Sequence, residues 1–180
     1  MVTPREDEKL LYHDAHMHGT KGEDECTNAY LAGFLDGSGG CLNAQILTRN
    51  DYRLLFEVRV TITFYQKSKR DWFIVWLKKK VPRGKIRKGS DGMSKYILTG
   101  AHTVKPLLQR SLPYLKLKRA QANTLLHIID KLPTAKDAHS FLELCRSVDH
   151  FAFINDSVKR KINTEFVKQK LQEEGILDSP

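Results

Sequence analysis

Between Phe56 and Tyr65, apolar and polar side chains alternate without a break. Phe56, Val58, Val60, Ile62 and Phe64 point one way, and Glu57, Arg59, Thr61, Thr63 and Tyr65 point the other. A period of two marks a β-strand with one buried face. Antiparallel sheets accommodate such a strand, because one face packs on a core while the other stays free to meet something. The chain is therefore expected to build an antiparallel sheet whose polar face is left open.

The neighbouring segments fit that plan. A helix is predicted over 28–37, and Leu42, Ala44 and Ile46 then alternate with Asn43, Gln45 and Leu47 in a first strand. Thr48-Arg49-Asn50-Asp51 is turn chemistry leading into the strand at Phe56. A second helix is predicted over 68–79, with Trp72, Phe73, Val75, Trp76 and Leu77 as its apolar side. Segments 84–88 and 93–99 form a hairpin around Ser90-Asp91-Gly92. Four further helices are expected near 103–112, 118–131, 137–153 and 163–173, punctuated by Pro113 and Pro133. Residues 1–26 are polar and without periodicity, a flexible arm before one domain over 27–180. Within the arm, His13, His16, His18 and Cys26 are metal-ligand types, but their spacing matches no zinc pattern.

Charge narrows the partner. The 180 residues carry 30 Lys and Arg against 21 Asp and Glu, a net charge of +9, which favours a polyanion such as nucleic acid. The cations are clustered: Lys67, Lys69, Arg70, Lys78, Lys79, Lys80, Arg83, Lys85, Arg87 and Lys88 face Asp71 alone, and Lys116, Lys118 and Arg119 form a second group. Phosphate-contacting cations beside a ladder of hydrogen-bonding side chains are what groove readout needs. The DNA-contacting candidates are therefore Asn43, Gln45, Arg49, Arg59, Thr61, Thr63, Tyr65, Lys67, Lys69, Lys85, Arg87, Lys88, Lys95 and Lys116. A strand of about eleven residues is roughly 35 Å long and parallels about ten base pairs. Basic charge alone does not separate DNA from RNA. No apolar run is long enough for a membrane span, and no signal-peptide pattern opens the chain. Cys26, Cys41 and Cys145 are widely spaced, which suits a reducing, intracellular setting.

The segment Tyr30–Gly40 carries the most specific signal. Ala29, Gly33 and Gly37 recur every four positions and so share one helix face. Interior glycine costs about 1 kcal/mol of helix propensity, a loss normally accepted for close packing. No second copy of the segment occurs, so the packing partner is expected to be the same helix of another chain, giving a two-fold dimer through Ala29, Ala32, Gly33, Asp36 and Gly37.

Leu31-Ala32-Gly33-Phe34-Leu35-Asp36-Gly37-Ser38-Gly39 resembles the motif of the LAGLIDADG homing endonucleases. The resemblance continues through Tyr65–Phe73, Leu112–Lys118 with Gln121-Ala122-Asn123, Phe141–Cys145, Val148-Asp149 and Asn155-Asp156-Ser157. It is to the single-motif, homodimeric branch typified by algal chloroplast enzymes, and it implies an organelle-encoded or bacterial protein. The resemblance implies an α+β fold with an αββαββα core, additional C-terminal helices and a saddle-shaped antiparallel sheet on double-stranded DNA with a pseudo-palindromic site. It further implies that Gln66 orients a water, that Arg70 and Lys118 stabilise phosphorane and leaving-group charge, and that the Gly37 carbonyl touches a divalent metal, normally Mg2+.

Ser38 stands where the family keeps its metal-binding acid, and a neutral hydroxyl is a poor ligand for a hard cation. Asp36 is no substitute, because two residues along a helix turn it about 200° away; anchoring the helix end by hydrogen bonding is its expected role. Gly40 is a second departure, at a position often serine. The expected function is thus sequence-specific DNA binding with metal-dependent cleavage lost or impaired. A working endonuclease and a group I intron RNA maturase are the alternatives.

Overall fold

A computed structural model describes residues 21–155 and 160–177. The elements are α1 (Lys21–Asp36), β1 (Gly40–Thr48), β2 (Phe56–Lys67), α2 (Asp71–Lys80), β3 (Lys85–Lys88), β4 (Met93–Thr99), α3 (Ala101–Ser111), α4 (Arg119–Lys131), α5 (Ala138–Ile154) and α6 (Thr164–Glu173). Short 3-10 turns at Ser68–Arg70 and Leu112–Tyr114 lead into α2 and out of α3. The order αββαββα expected for the core is therefore present, and the fold is α+β. Helix α1 begins at Lys21, earlier than the predicted start at residue 28. Cys26 thus lies exposed on a helix rather than in an arm, while His13, His16 and His18 fall outside the described residues.

The four strands form one antiparallel sheet in the order β1-β2-β4-β3. Its inner face is Leu42, Ala44 and Ile46 of β1, Val60, Ile62 and Phe64 of β2, and Tyr96 and Leu98 of β4, all buried. This is the face that the alternation assigns to the core. Helices α3, α4 and α5 supply Val104, Leu107, Leu125, Ile128, Phe141 and Val148 to the same cluster. Asp137 starts α5 with a capping box, accepting from the Ser140 amide at 2.9 Å while its own amide donates to Ser140 Oγ at 3.3 Å. Among the described residues no helix is long and apolar enough to cross a membrane.

In α2 the buried residues are Phe73, Ile74 and Leu77, whereas Trp72 and Val75 are 52% and 47% exposed. The six consecutive apolar residues Trp72–Leu77 wrap more than one face of a helix, so one face alone cannot bury them all.

One contact ties the β3–β4 hairpin to α2. The fully buried Tyr96 hydroxyl donates to the Val81 carbonyl and accepts from the Gly84 amide at 2.9 Å. A Cβ on Gly84 would lie 2.4 Å from the Tyr96 ring, so that close approach requires glycine. Tyr96→Phe leaves both backbone groups without this partner and is expected to lower the unfolding free energy by about 1–3 kcal/mol, read from the urea midpoint at unchanged slope.

Candidate nucleic-acid interface

The outer sheet face follows from the register. Cys41, Asn43 and Gln45 stand opposite Thr63, Thr61 and Arg59, and across the next pair Tyr65 stands opposite Lys95, which stands opposite Arg87. Lys85 continues the row on the β3 edge, opposite Ile97. The Lys95 ammonium lies 5.6 Å from the Tyr65 ring centroid. Most of the strand residues expected to contact DNA thus share one continuous polar surface, and Lys67, Lys69 and Lys116 are exposed beside it.

Not every cation on that face is free. Arg49 donates from Nε and Nη2 to Asp51 at 3.0 Å each and from Nη1 to Glu57 at 2.9 Å. Its guanidinium also lies 4.5 Å from the Tyr52 ring centroid. Arg59 donates to the other oxygen of Glu57. Lys88 is not on that face: it stands opposite the buried Ser94, on the helix side of β3, and pairs there with Asp71, whose carboxyl is held below its ordinary value by the Lys88 and Ser94 hydrogen bonds. Arg160, which sequence reasoning missed, donates to Asn43 Oδ1 at 3.5 Å, and Asn155 donates to the Leu42 carbonyl at 3.3 Å. The chain following α5 therefore braces β1 from its outer edge.

At the far end of the face, the motif turn is tightly folded. A Cβ on Gly39 would lie 2.3 Å from the Phe34 ring, and one on Gly40 would lie 2.7 Å from Leu35 Cδ2. These glycines let the chain fold back on α1, leaving Ser38 exposed. The Gly39 carbonyl accepts from the Tyr65 amide at 2.8 Å, which joins the turn to the end of β2. One residue on, Gln66 Oε1 accepts from Arg70 Nη1 at 3.2 Å and from the Lys67 amide at 2.9 Å.

Asp36 and Lys118 lock the turn from the other side. The Asp36 carboxylate accepts the backbone amides of Lys116, Leu117 and Lys118 at 2.6, 3.2 and 2.9 Å. In return, the Lys118 ammonium donates to the carbonyls of Leu35, Gly37 (2.9 Å) and Gly40 (2.8 Å). Burial lowers the Lys118 pKa, opposed by the nearby Cys41 and Asp36 charges. Burial raises the Cys41 thiol, opposed by Lys118.

Two expectations for the motif need correction. Ala32 is 0% exposed within its own chain, so it packs into the core and offers no surface to a second copy. Asp36 is turned onto its own chain's 116–118 backbone rather than toward a second copy, which is the anchoring of the helix end by hydrogen bonding expected of it. By contrast, Gly33 is exposed, and a Cβ there would meet nothing within 4 Å. Large exposed apolar side chains lie near it: Tyr30 is 52% exposed and Leu117 is 77% exposed. Tyr30 packs edge-on against Phe73 and Trp76, at 6.1 and 5.6 Å between centroids.

The turn does not fit a hard divalent cation: Ser38 supplies a neutral hydroxyl, and the Gly37 carbonyl is taken by an ammonium.

The chain is 40% identical over 159 residues to the DNA endonuclease I-CvuI of Chlorella vulgaris, covering 88% of this chain and 98% of that protein. It belongs to the LAGLIDADG homing endonucleases. The DNA endonuclease I-CreI of Chlamydomonas reinhardtii is also 40% identical, over 83% of this chain and 88% of that relative. The crystal structure of I-CvuI with its target in the presence of Ca superposes with a TM-score of 0.82 at 38% identity, covering 87% of this chain and 99% of that one. No family model matches the chain. Family membership accounts for the open antiparallel sheet and for the single motif at the end of α1.

Proposed function

We propose that the chain binds double-stranded DNA as a homodimer, through the outer sheet face of each copy, and that metal-dependent cleavage is lost or impaired. The observation that carries the second half is the motif turn, with Ser38 at the acid position and the Lys118 ammonium on the Gly37 carbonyl. A divalent cation drawn to that carbonyl would meet a like charge already bonded to it. Binding itself needs only the sheet and its cations, which are retained.

The dimer axis is proposed to run beside the exposed stripe of Gly33 and Gly37, flanked by Tyr30 and Leu117. Apolar groups this exposed are efficiently covered by a second copy. Two sheets so related would span a pseudo-palindrome of about 20 base pairs. Gln66, Arg70 and Lys118 would sit nearest the scissile phosphates. There Gln66, bonded to Arg70, would hold a water, and Arg70 would offer its remaining donors to a phosphate.

A working endonuclease is the second reading, favoured by the names of the two relatives, both DNA endonucleases. Incubating the purified protein with selected duplexes and either magnesium or EDTA separates the two. Binding of equal strength in both buffers without strand breaks supports the proposal, and reproducible breaks overturn its second half. Lys69 is an exposed cation beside β2, and Lys69→Ala is expected to lower the slope of log affinity against log salt by about one while base preferences stay fixed.

A further inference from the structure

The end of the β1–β2 pair far from the motif turn, next to the hairpin at residues 49–55, carries a relay of alternating charge whose last member is Arg59. Asp51 holds Arg49 by two hydrogen bonds, Tyr52 stacks on it, Arg49 holds Glu57, and Glu57 holds Arg59. Exposure falls from 67% at Asp51 through 35% at Arg49 to 15% at Glu57, and only at Arg59 does it rise again, to 42%, so the last member is the one that returns to solvent. All three guanidinium nitrogens of Arg49 are engaged by carboxylates, so it serves as a tether. Arg59 gives one nitrogen to Glu57 and presents the rest of its fork from the sheet. An exposed arginine normally samples many rotamers, and fixing one side of its guanidinium removes most of that freedom before any ligand arrives.

We propose that Arg59 reads a guanine in the major groove and that Glu57 is the positioning residue that aims it. Planar guanidinium against the O6 and N7 acceptors of guanine is the matching bidentate pair. The register places this contact. Arg59 lies five residues before Phe64, which pairs with Gly40 at the motif turn. At roughly 3.3–3.4 Å per residue this is about 17 Å, or about five base pairs outward from the turn. Each half-site of a two-fold dimer therefore carries one such guanine. The inference rests on the proposed DNA-binding reading of the sheet and adds to it a base, a position and a supporting carboxylate.

Selection from a random duplex library, followed by affinity measurements on single-base variants of the winner, tests it. The wild type is expected to enrich guanine about five base pairs outward from the motif turn in each half-site, with a penalty of roughly 5- to 150-fold for any other base there. Arg59→Lys keeps the charge and the salt slope but reduces that penalty to about twofold or less. Glu57→Gln is expected to shrink the same penalty several-fold while binding to the non-guanine variant stays equal or strengthens, because one negative charge is removed from the face. A purely structural role for Glu57 would weaken binding to every duplex alike. Sequence enrichment without guanine at that position overturns the inference and leaves the DNA reading standing. So does a uniform loss of affinity in Arg59→Lys, or a full guanine penalty in Glu57→Gln. Absence of any sequence enrichment overturns both.

Discussion

Asp36→Ala is expected to lower the unfolding free energy by about 3–5 kcal/mol, a large share of the roughly 5–15 kcal/mol available to a domain. Three backbone amides, those of Lys116, Leu117 and Lys118, end on this one carboxylate. Hydrogen bonds to an ionised acceptor contribute about 1.5–3 kcal/mol each, and partial access of water to this segment keeps the total below the simple sum. The loss also frees Lys118, whose ammonium holds the carbonyls at the end of α1. Asp36→Asn keeps one acceptor oxygen and should cost less than half as much. Urea midpoints for the three proteins give the comparison.

The same group sets a pH dependence. Burial raises the Asp36 carboxyl, but the three amides and the Lys118 charge outweigh it and bring it below its ordinary value of 3.8. A group depressed in the folded state stabilises fully above its unfolded value and loses that contribution as pH falls through the folded value. The stability gap between wild type and Asp36→Asn is therefore constant at neutral pH and closes below about pH 4. A gap that persists unchanged in strong acid would mean that the carboxylate charge is not what holds the turn.

The second large effect is a gain. Ser38→Asp, present twice in the proposed dimer, is expected to raise magnesium-dependent cleavage of a bound duplex by about a thousandfold or more, equivalent to roughly 4 kcal/mol of barrier. A carboxylate at this exposed position supplies the hard anionic oxygen that the hydroxyl lacks. It also offers the Lys118 ammonium a partner other than the Gly37 carbonyl. Affinity in EDTA should change little, because the sheet is untouched. Linearisation of a plasmid carrying the selected site reads the gain. Tight binding with no cleavage by Ser38→Asp would show that the missing acid is not the only defect.

The β2 alternation and the charge clusters made the sheet and its open face readable from sequence, because both signals are local and periodic. The glycine-rich turn is readable for the same reason, and the structure adds why Gly39 fits there: the Phe34 ring occupies the space of any Cβ. What stayed hidden is long-range. Asp36 and the 116–118 backbone lie about eighty residues apart, and nothing in either segment announces the other. The stripe was read as four small residues and an acid facing a partner, yet Ala32 faces inward and Asp36 faces its own chain. Trp72 and Val75 belong to the apolar side expected of the second helix yet stand exposed, because apolar composition does not say which side of a crowded helix wins burial. Arg49 sits among the expected DNA contacts by its sequence position, and its two carboxylate partners can be recognised only once the β1–β2 turn is folded.

The sheet order leaves β3 as an outer strand, four residues long and reading Lys-Ile-Arg-Lys. Unpaired strand edges invite pairing with other chains, and natural proteins blunt them by keeping the edge short and placing cations on it. Lys85, Arg87 and Lys88 meet both conditions. The cations on this edge are thus also a guard that keeps one sheet from zipping onto another, a role they play with or without any ligand on the sheet.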